Sequence, residues 1–224
     1  MTVGEIIKAV RFCYDEEAID SADFRNASAQ DNTYMDNIIK SKIGDAVRWI
    51  CLYCPAELLG GSDTQGTDTG IMKDDTIANP VSISGTTGGT ITLPDDFIKL
   101  VRVRVPGWHR AIKEPISEDS PECLQLRDTN GAAAVADRPQ AVLIEKASKQ
   151  LEVWPTASNV QITYISEPTI SITSSSATST AVALPPRAKT AFIYYLAFLV
   201  LSAYEDSRAA RMLEIAKMNT GRNS

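Results

Sequence analysis

Apolar residues recur every three to four positions at the start of the chain, where Val3, Ile6, Ile7 and Val10 lie on one side of a helix over 3–14. A longer stripe follows. Met35, Ile38, Ile39, Ile43, Ala46, Val47, Ile50, Cys51 and Cys54 share one helical face, with Asp36, Lys40, Lys42, Asp45 and Arg48 largely opposite. Asp31 or Asn32 is expected to cap this helix. Pro55 ends it, because proline disfavours helical geometry in the residue before it. Residues 15–30, between the two helices, are polar and read as an exposed loop or arm.

Residues 60–69 (GGSDTQGTDT) are poor in apolar side chains and read as a flexible excursion. From Ile71 the period changes to two. Residues 81–84 and 90–93 form a hairpin around the glycine-containing loop 85–89, and Pro94-Asp95-Asp96 makes a turn. Over 99–105, Val101, Val103 and Val105 alternate with Arg102 and Arg104, which predicts a half-buried strand with two cations outward. Three more strands are expected at 141–144, 150–154 and 160–166, the first two joined by the polar turn 145–149. A short helix over 121–127 is expected to be capped by the acidic cluster Glu114, Glu118, Asp119 and Glu122. Residues 174–180 (SSSATST) read as a linker or hairpin tip. A helix over 186–203 starts with proline in its first turn, and Asp206 caps a last helix in which Ala209, Met212, Leu213 and Ala216 share a side. The tail 220–224 is polar. Helices at both ends with strands between them predict an α+β fold, a bundle made by the N- and C-terminal helices with an inserted antiparallel β-domain. The expected parts are 1–59 (helical), 60–183 (β-rich) and 184–224 (helices completing the bundle).

Composition narrows the function classes. The 224 residues suffice for one domain or two closely joined ones. Apolar content of 44% with 22% charged residues excludes wholesale disorder. Twenty-two basic against 28 acidic residues leave −6, which argues against a tight grip on nucleic acid, where affinity comes from neutralising phosphates. The longest apolar run, 191–201, is about half of the roughly 20 residues that a membrane-spanning helix needs, so no membrane partner is expected. Glu5, Lys8, Arg11 and Asp15 interrupt any export signal, and the 4 cysteines then read as reduced thiols in a protein synthesised in a cytoplasm.

No catalytic, cofactor-binding or metal site is expected. Cys51-x-x-Cys54 lies at a helix C-terminus, where the dipole raises thiol pKa values instead of lowering them. Zinc would need two more ligands, and only Cys13, Cys123 and His109 remain. Burial on the helix stripe is the simpler role. His109, the single histidine, follows the turn Pro106-Gly107-Trp108 beside Arg110 and has no orienting carboxylate adjacent in sequence; a surface or interface role fits it. The acidic cluster lacks the alternating ligands and glycine of a calcium loop. Neither 86–89 nor 60–61 carries the lysine and following helix of a phosphate loop. Trp108 and Trp154 fit core or interface packing better than base stacking.

The order of phrases resembles a known family. A short helix and a long one ending near Pro55 precede Leu93-Pro94-Asp95-Asp96-Phe97-Ile98-Lys99-Leu100-Val101-Arg102-Val103 and a Gly107-Trp108 turn. Leu151-Glu152-Val153-Trp154-Pro155, Ile162-Thr163-Tyr164-Ile165-Ser166-Glu167-Pro168 and a late Leu184-Pro185 follow, with Tyr204-Glu205-Asp206 between the terminal helices. Over about 3–218 this is similar to the head-to-tail connector (adaptor) proteins of short-tailed bacteriophages, the tail tubular protein A class. The resemblance implies a structural virion protein at the head–tail junction, forming a ring of twelve copies that continues the DNA conduit. It implies a helical part docked on the portal, a β-domain meeting the next tail or nozzle protein, and no catalytic residues or cofactor. Contact with packaged DNA is then weak and non-specific at most, through cations such as Arg102, Arg104 or the 146–149 turn. The interface candidates are Arg102, Arg104, Trp108, Glu118 and Asp119, and the polar segments 15–30, 60–68 and 174–180 are candidate arms onto neighbours. Rival readings are another head-completion, tail-tube or minor capsid protein, or a stand-alone β-type binding module.

Overall fold

A computed structural model describes residues 1–14, 29–60, 69–128, 134–144 and 149–221, with the backbone alone at 14 and 29–32. The expected arms at 15–28 and 61–68, and the turn at 145–148, lie outside the described residues. Two helices open the chain, α1 (Val3–Tyr14) and α2 (Ala29–Tyr53), followed by the one-turn α3 (Ala56–Leu59). Then come β1 (Met72–Ala78), β2 (Val81–Ser82), β3 (Gly89–Thr92), β4 (Phe97–Arg104) and β5 (Ile116–Ser117). Helix α4 (Pro121–Arg127) precedes β6 (Gln140–Ile144), β7 (Gln150–Trp154) and β8 (Asn159–Ser166). A 3-10 turn (Pro186–Ala188) leads into α5 (Lys189–Ala203), and α6 (Ala209–Met218) follows. The chain divides into two compact units, one of Met1–Ile71 with Pro168–Ser224 and one of Met72–Glu167.

In the helical unit, α5 is apolar nearly all round, as a helix enclosed by others must be. Ala191, Phe192, Leu196, Ala197 and Val200 are fully buried, and α5 packs against α1, α2 and α6. Val3, Ile6 and Val10 of α1 and Ile39, Ile43, Val47 and Ile50 of α2 are also fully buried. The N-terminal helices therefore pack with the C-terminal ones, as the order of elements along the chain predicted. Helix α1 opens with a capping box: the Glu5 N–H donates to Thr2 Oγ1 at 3.2 Å and the Thr2 N–H donates to Glu5 Oε2 at 2.8 Å. Helix α2 starts at Ala29, so Asp31 and Asn32 lie inside its first turn and are not its cap. Nor is Asp206 the cap of α6: Arg208 takes that position with no side-chain cap bond, and Asp206 sits two residues ahead of it. The Arg208 guanidinium, and then the Arg208 N–H that donates to Asp206 at 2.8 Å, hold its carboxyl down at about 2.

Residues 174–180 are docked, not a free linker. The first N–H groups of a helix lack partners within it; here the Val3 N–H donates to Thr180 O at 2.9 Å and the Gly4 N–H to Thr178 O at 2.8 Å. Lys40 Nζ reaches across to the carbonyls of Ser174 and Ser176, at 3.2 and 2.8 Å. A side chain at Gly4 would press on this strap, since a Cβ there would sit 3.2 Å from Thr178 O. The candidate arm at 174–180 is thus bound to its own helices through backbone groups, which leave no apolar signature in sequence.

The other unit holds two sheets around one core. The three-stranded sheet has the order β1-β8-β4 and the five-stranded sheet β2-β3-β7-β6-β5. Their inner faces contribute Ile91, Phe97, Val103, Leu151, Val153, Ile162 and Tyr164 to a single cluster. All pairings are antiparallel except the two-residue β5, which runs parallel to β6. The seven-residue β1 reads as polar in sequence because it is an edge strand with mostly exposed side chains, held by its full-length register with β8. Helix α4 has the expected bounds, but Ser120 caps it: its Oγ accepts from the Cys123 N–H at 3.1 Å.

The Pro94-Asp95-Asp96-Phe97 phrase is the joint between the sheets. The Phe97 N–H closes the turn on Pro94 O at 3.0 Å, and the Phe97 ring packs 5.8 Å from that of Tyr164. Asp96 accepts from Lys73 Nζ at 2.6 Å and from the Tyr164 hydroxyl at 3.0 Å. Burial, then the bond to the Asp96 carboxylate and the charges of Asp96 and Asp75, push the Tyr164 phenol up to about 12. A proton held more tightly in the folded state contributes stability below the unfolded pKa of about 10. That contribution is lost as pH rises from there through the folded value. The denaturant midpoint should therefore fall between about pH 10 and 12, and Tyr164→Phe should make that alkaline fall shallower. An unchanged slope in the variant would show that Tyr164 is not one of the groups responsible.

Candidate interaction surface

The outer face of the β1-β8-β4 sheet is where the outward positions of the alternating strands meet. Val160, Ile162 and Tyr164 of β8 point into the core, so Gln161 and Thr163 point out. The register places Asp74, Thr163 and Arg102 in one cross-strand row and Thr76, Gln161 and Arg104 in the next. Thr163 links its row: its Oγ1 accepts from Arg102 Nε at 2.9 Å and donates to the Asp74 carboxylate. The Arg102 guanidinium stands 3.7 Å from Asp74, with both side chains more than half exposed. These rows line an open cleft of about 300 Å³ that Asp75 and Ala111 also border.

The Arg104 side chain is exposed and makes no hydrogen bond or ion pair to another described residue. Arg102, by contrast, is partly committed within its own sheet. Lys149, the described end of the 146–149 turn, donates to the carbonyls of Asp95 and Phe97 at 2.9 and 3.1 Å and is held against the protein.

Trp108 belongs to the core and not to this surface. Pro106-Gly107 form a tight turn with Gly107 at φ 94, a conformation that favours glycine, closed by the Trp108 N–H on Val105 O at 3.0 Å. The turn sends the indole inward, where it is 3% exposed and donates to Pro155 O at 2.8 Å. Glu118 is half-buried and Asp119 exposed on the turn before α4, and each is engaged within its own chain. The five interface candidates therefore do not form one patch. Arg102 and Arg104 share a face, Glu118 and Asp119 sit on another element, and Trp108 lies beneath.

The His109 ring is exposed and pairs with Asp137, while the His109 backbone N–H donates to Ala136 O at 3.1 Å. The orienting carboxylate missing nearby in sequence is thus supplied from 28 positions on (137 − 109), but its described contacts include no nucleophile. The four cysteines are buried thiols, with Cys51 and Cys54 at the end of α2 as the stripe implied. Among the described residues no group of three or more His, Cys, Asp or Glu is placed to hold a metal ion, and no helix is long and apolar enough to cross a membrane.

The helical unit carries a second surface that the sequence reading missed. Trp49 stacks on Tyr195 with ring centroids 4.1 Å apart and planes 7° from parallel. Tyr53 and Phe198 extend the cluster at 5.3 and 5.4 Å. Tyr53 and its neighbour Leu52 remain about half exposed. The legible signal was local: Trp49 and Tyr53 are four residues apart and Tyr195 and Phe198 three, spacings that place each pair on one helix face.

Residues 1–224 match the family model of the SU10 adaptor protein. No curated protein matches the chain in sequence.

Proposed function

This chain belongs to the SU10 adaptor protein family, phage adaptors that connect head to tail and are structural rather than catalytic, and on that premise we propose that it works as one subunit of a closed ring. The ring has twelve copies, docks on the portal through the helical unit, and meets the downstream tail or nozzle proteins through the β-rich unit. The observation that carries this reading is a family match running the whole length of the chain. Two features of the chain support it. The apolar α5, whose Ala191, Phe192, Leu196, Ala197 and Val200 are fully buried, makes the helical unit a firm docking element, and the half-exposed Tyr53 with the partly buried Tyr195 and Phe198, backed by the buried Trp49, offers aromatic surface of the kind enriched at interfaces.

Lateral contacts use charge on the outer sheet face, where Arg104, beside the partly committed Arg102, meets carboxylates of the next subunit. Charge there sets register more than affinity. A subunit of net charge −6 lets DNA pass without gripping it, because few cations are left to release counterions from the phosphates. With Lys149 and Arg102 engaged within the chain, duplex contact is weak, non-specific and lost at moderate salt.

Negative-stain images of the purified chain, alone and mixed with its portal, should show closed rings seated on the portal. A chain that stays monomeric with every virion component, and is missing from purified particles, would overturn the reading.

A further inference from the structure

We infer that the β1-β8-β4 sheet is a contact between copies of this chain, in which the acidic β1 edge of one copy meets the basic β4 side of the next through Asp75 and Arg104. The inference rests on the ring reading and names its lateral surface. β1 carries the exposed carboxylates Asp74 and Asp75, while β4 carries Lys99, Arg102 and Arg104. The two strands flank β8, which puts opposite charge on opposite sides of a sheet only about 10 Å across. Such a surface disfavours two-fold pairing by like edges, since β1 against β1 opposes acid to acid and β4 against β4 opposes base to base. It favours a head-to-tail arrangement, the kind that closes into rings.

Contacts within the chain decide which charges are left over. Lys73 is engaged by Asp96, and Asp74 by Thr163 and Arg102. Glu118 and Asp119 have interactions in their own chain. The Asp75 carboxylate accepts only the N–H of the next residue, Thr76, at 2.7 Å, and the Arg104 side chain has no described partner. The outer edge of β1 is also unpaired among the described residues, an arrangement that folded proteins seldom leave uncovered. One exposed pair contributes little. Reversing one of its charges, however, sets like charges together at every contact of the ring.

The test uses full-length Asp75→Arg and Arg104→Glu variants, with ring formation read by negative stain and size exclusion, alone and on the portal. Each variant by itself should lose the ring while keeping the wild-type unfolding midpoint, since both side chains are exposed. Mixed in equal amounts the two variants should recover it, because every contact in an alternating ring again joins unlike charges. A chain carrying both reversals should also assemble. Rings from either single variant would overturn this inference while leaving the ring reading intact, as would rescue of Arg104→Glu by Glu118→Arg or Asp119→Arg in place of Asp75→Arg. A wild-type chain that forms no ring would overturn both.

Discussion

Trp154→Ala is expected to destabilise the β-rich unit by about 3–5 kcal/mol, the range for truncating a large buried aromatic side chain. Trp154 is 1% exposed and among the largest fully buried side chains. Its ring fills the space left by a missing side chain: a Cβ on Gly88 would come within 2.5 Å of the indole, far inside van der Waals contact. That explains the glycine pair at the start of β3 better than turn geometry does, since neither Gly88 nor Gly89 has a positive φ. A Cβ on Gly89 would likewise come within 2.6 Å of Thr156 Oγ1. Gly88→Ala should cost about 1–3 kcal/mol as an overpacking substitution. In the double variant Gly88→Ala, Trp154→Leu the two effects should be clearly less than additive, because the smaller side chain makes room for the new methyl. Urea midpoints at constant m-value measure this, and strict additivity would mean that the contact is not the cause.

Arg127→Ala comes next, at about 2–4 kcal/mol. Arg127 at the end of α4 holds Glu152 of β7 with two bonds, Nε to Oε2 at 3.2 Å and the terminal nitrogen to Oε1 at 2.7 Å. The Glu152 side chain is only 8% exposed against 39% for the arginine, so removing the arginine strands a carboxylate that water barely reaches. The arginine's exposure keeps the loss toward the lower end of that range. Replacing both residues with methionine should restore most of the stability, since an apolar pair has no charge to desolvate. A double variant no better than the single one would show that lost packing of the arginine stem accounts for the effect.

The candidate surface was legible only in part. The Val–Arg alternation of β4 places Arg102 and Arg104 outward without any structure, because strand side chains alternate faces wherever the strand lies. Which of the two is available is a different matter. It depends on β1 delivering Asp74 to Arg102 through β8, and β1 has a composition, Met-Lys-Asp-Asp-Thr-Ile-Ala, that carries no periodic signal. Trp108 shows the same limit from the other side. Sequence places it at a turn, but the handedness of that turn at Gly107, and the Pro155 carbonyl waiting 47 positions away, take it inward.

Helices α1, α2, α5 and α6, the short α4 and strands β4, β6, β7 and β8 follow from local pattern, since period and punctuation report which face of a segment avoids water. The α+β class and the pairing of terminal helices around an inserted β-domain follow from their order along the chain. Three things do not. The division of the eight strands among the described residues into two sheets rests on long-range register, such as β4 and β1 both claiming β8. The docking of 174–180 on α1 rests on backbone groups that every residue possesses. The burial of Glu152 rests on a cation brought by α4 from 25 positions away. A sequence records that a face must be covered or a charge compensated, but the partner that does so is chosen in three dimensions, by shape and charge meeting across the fold.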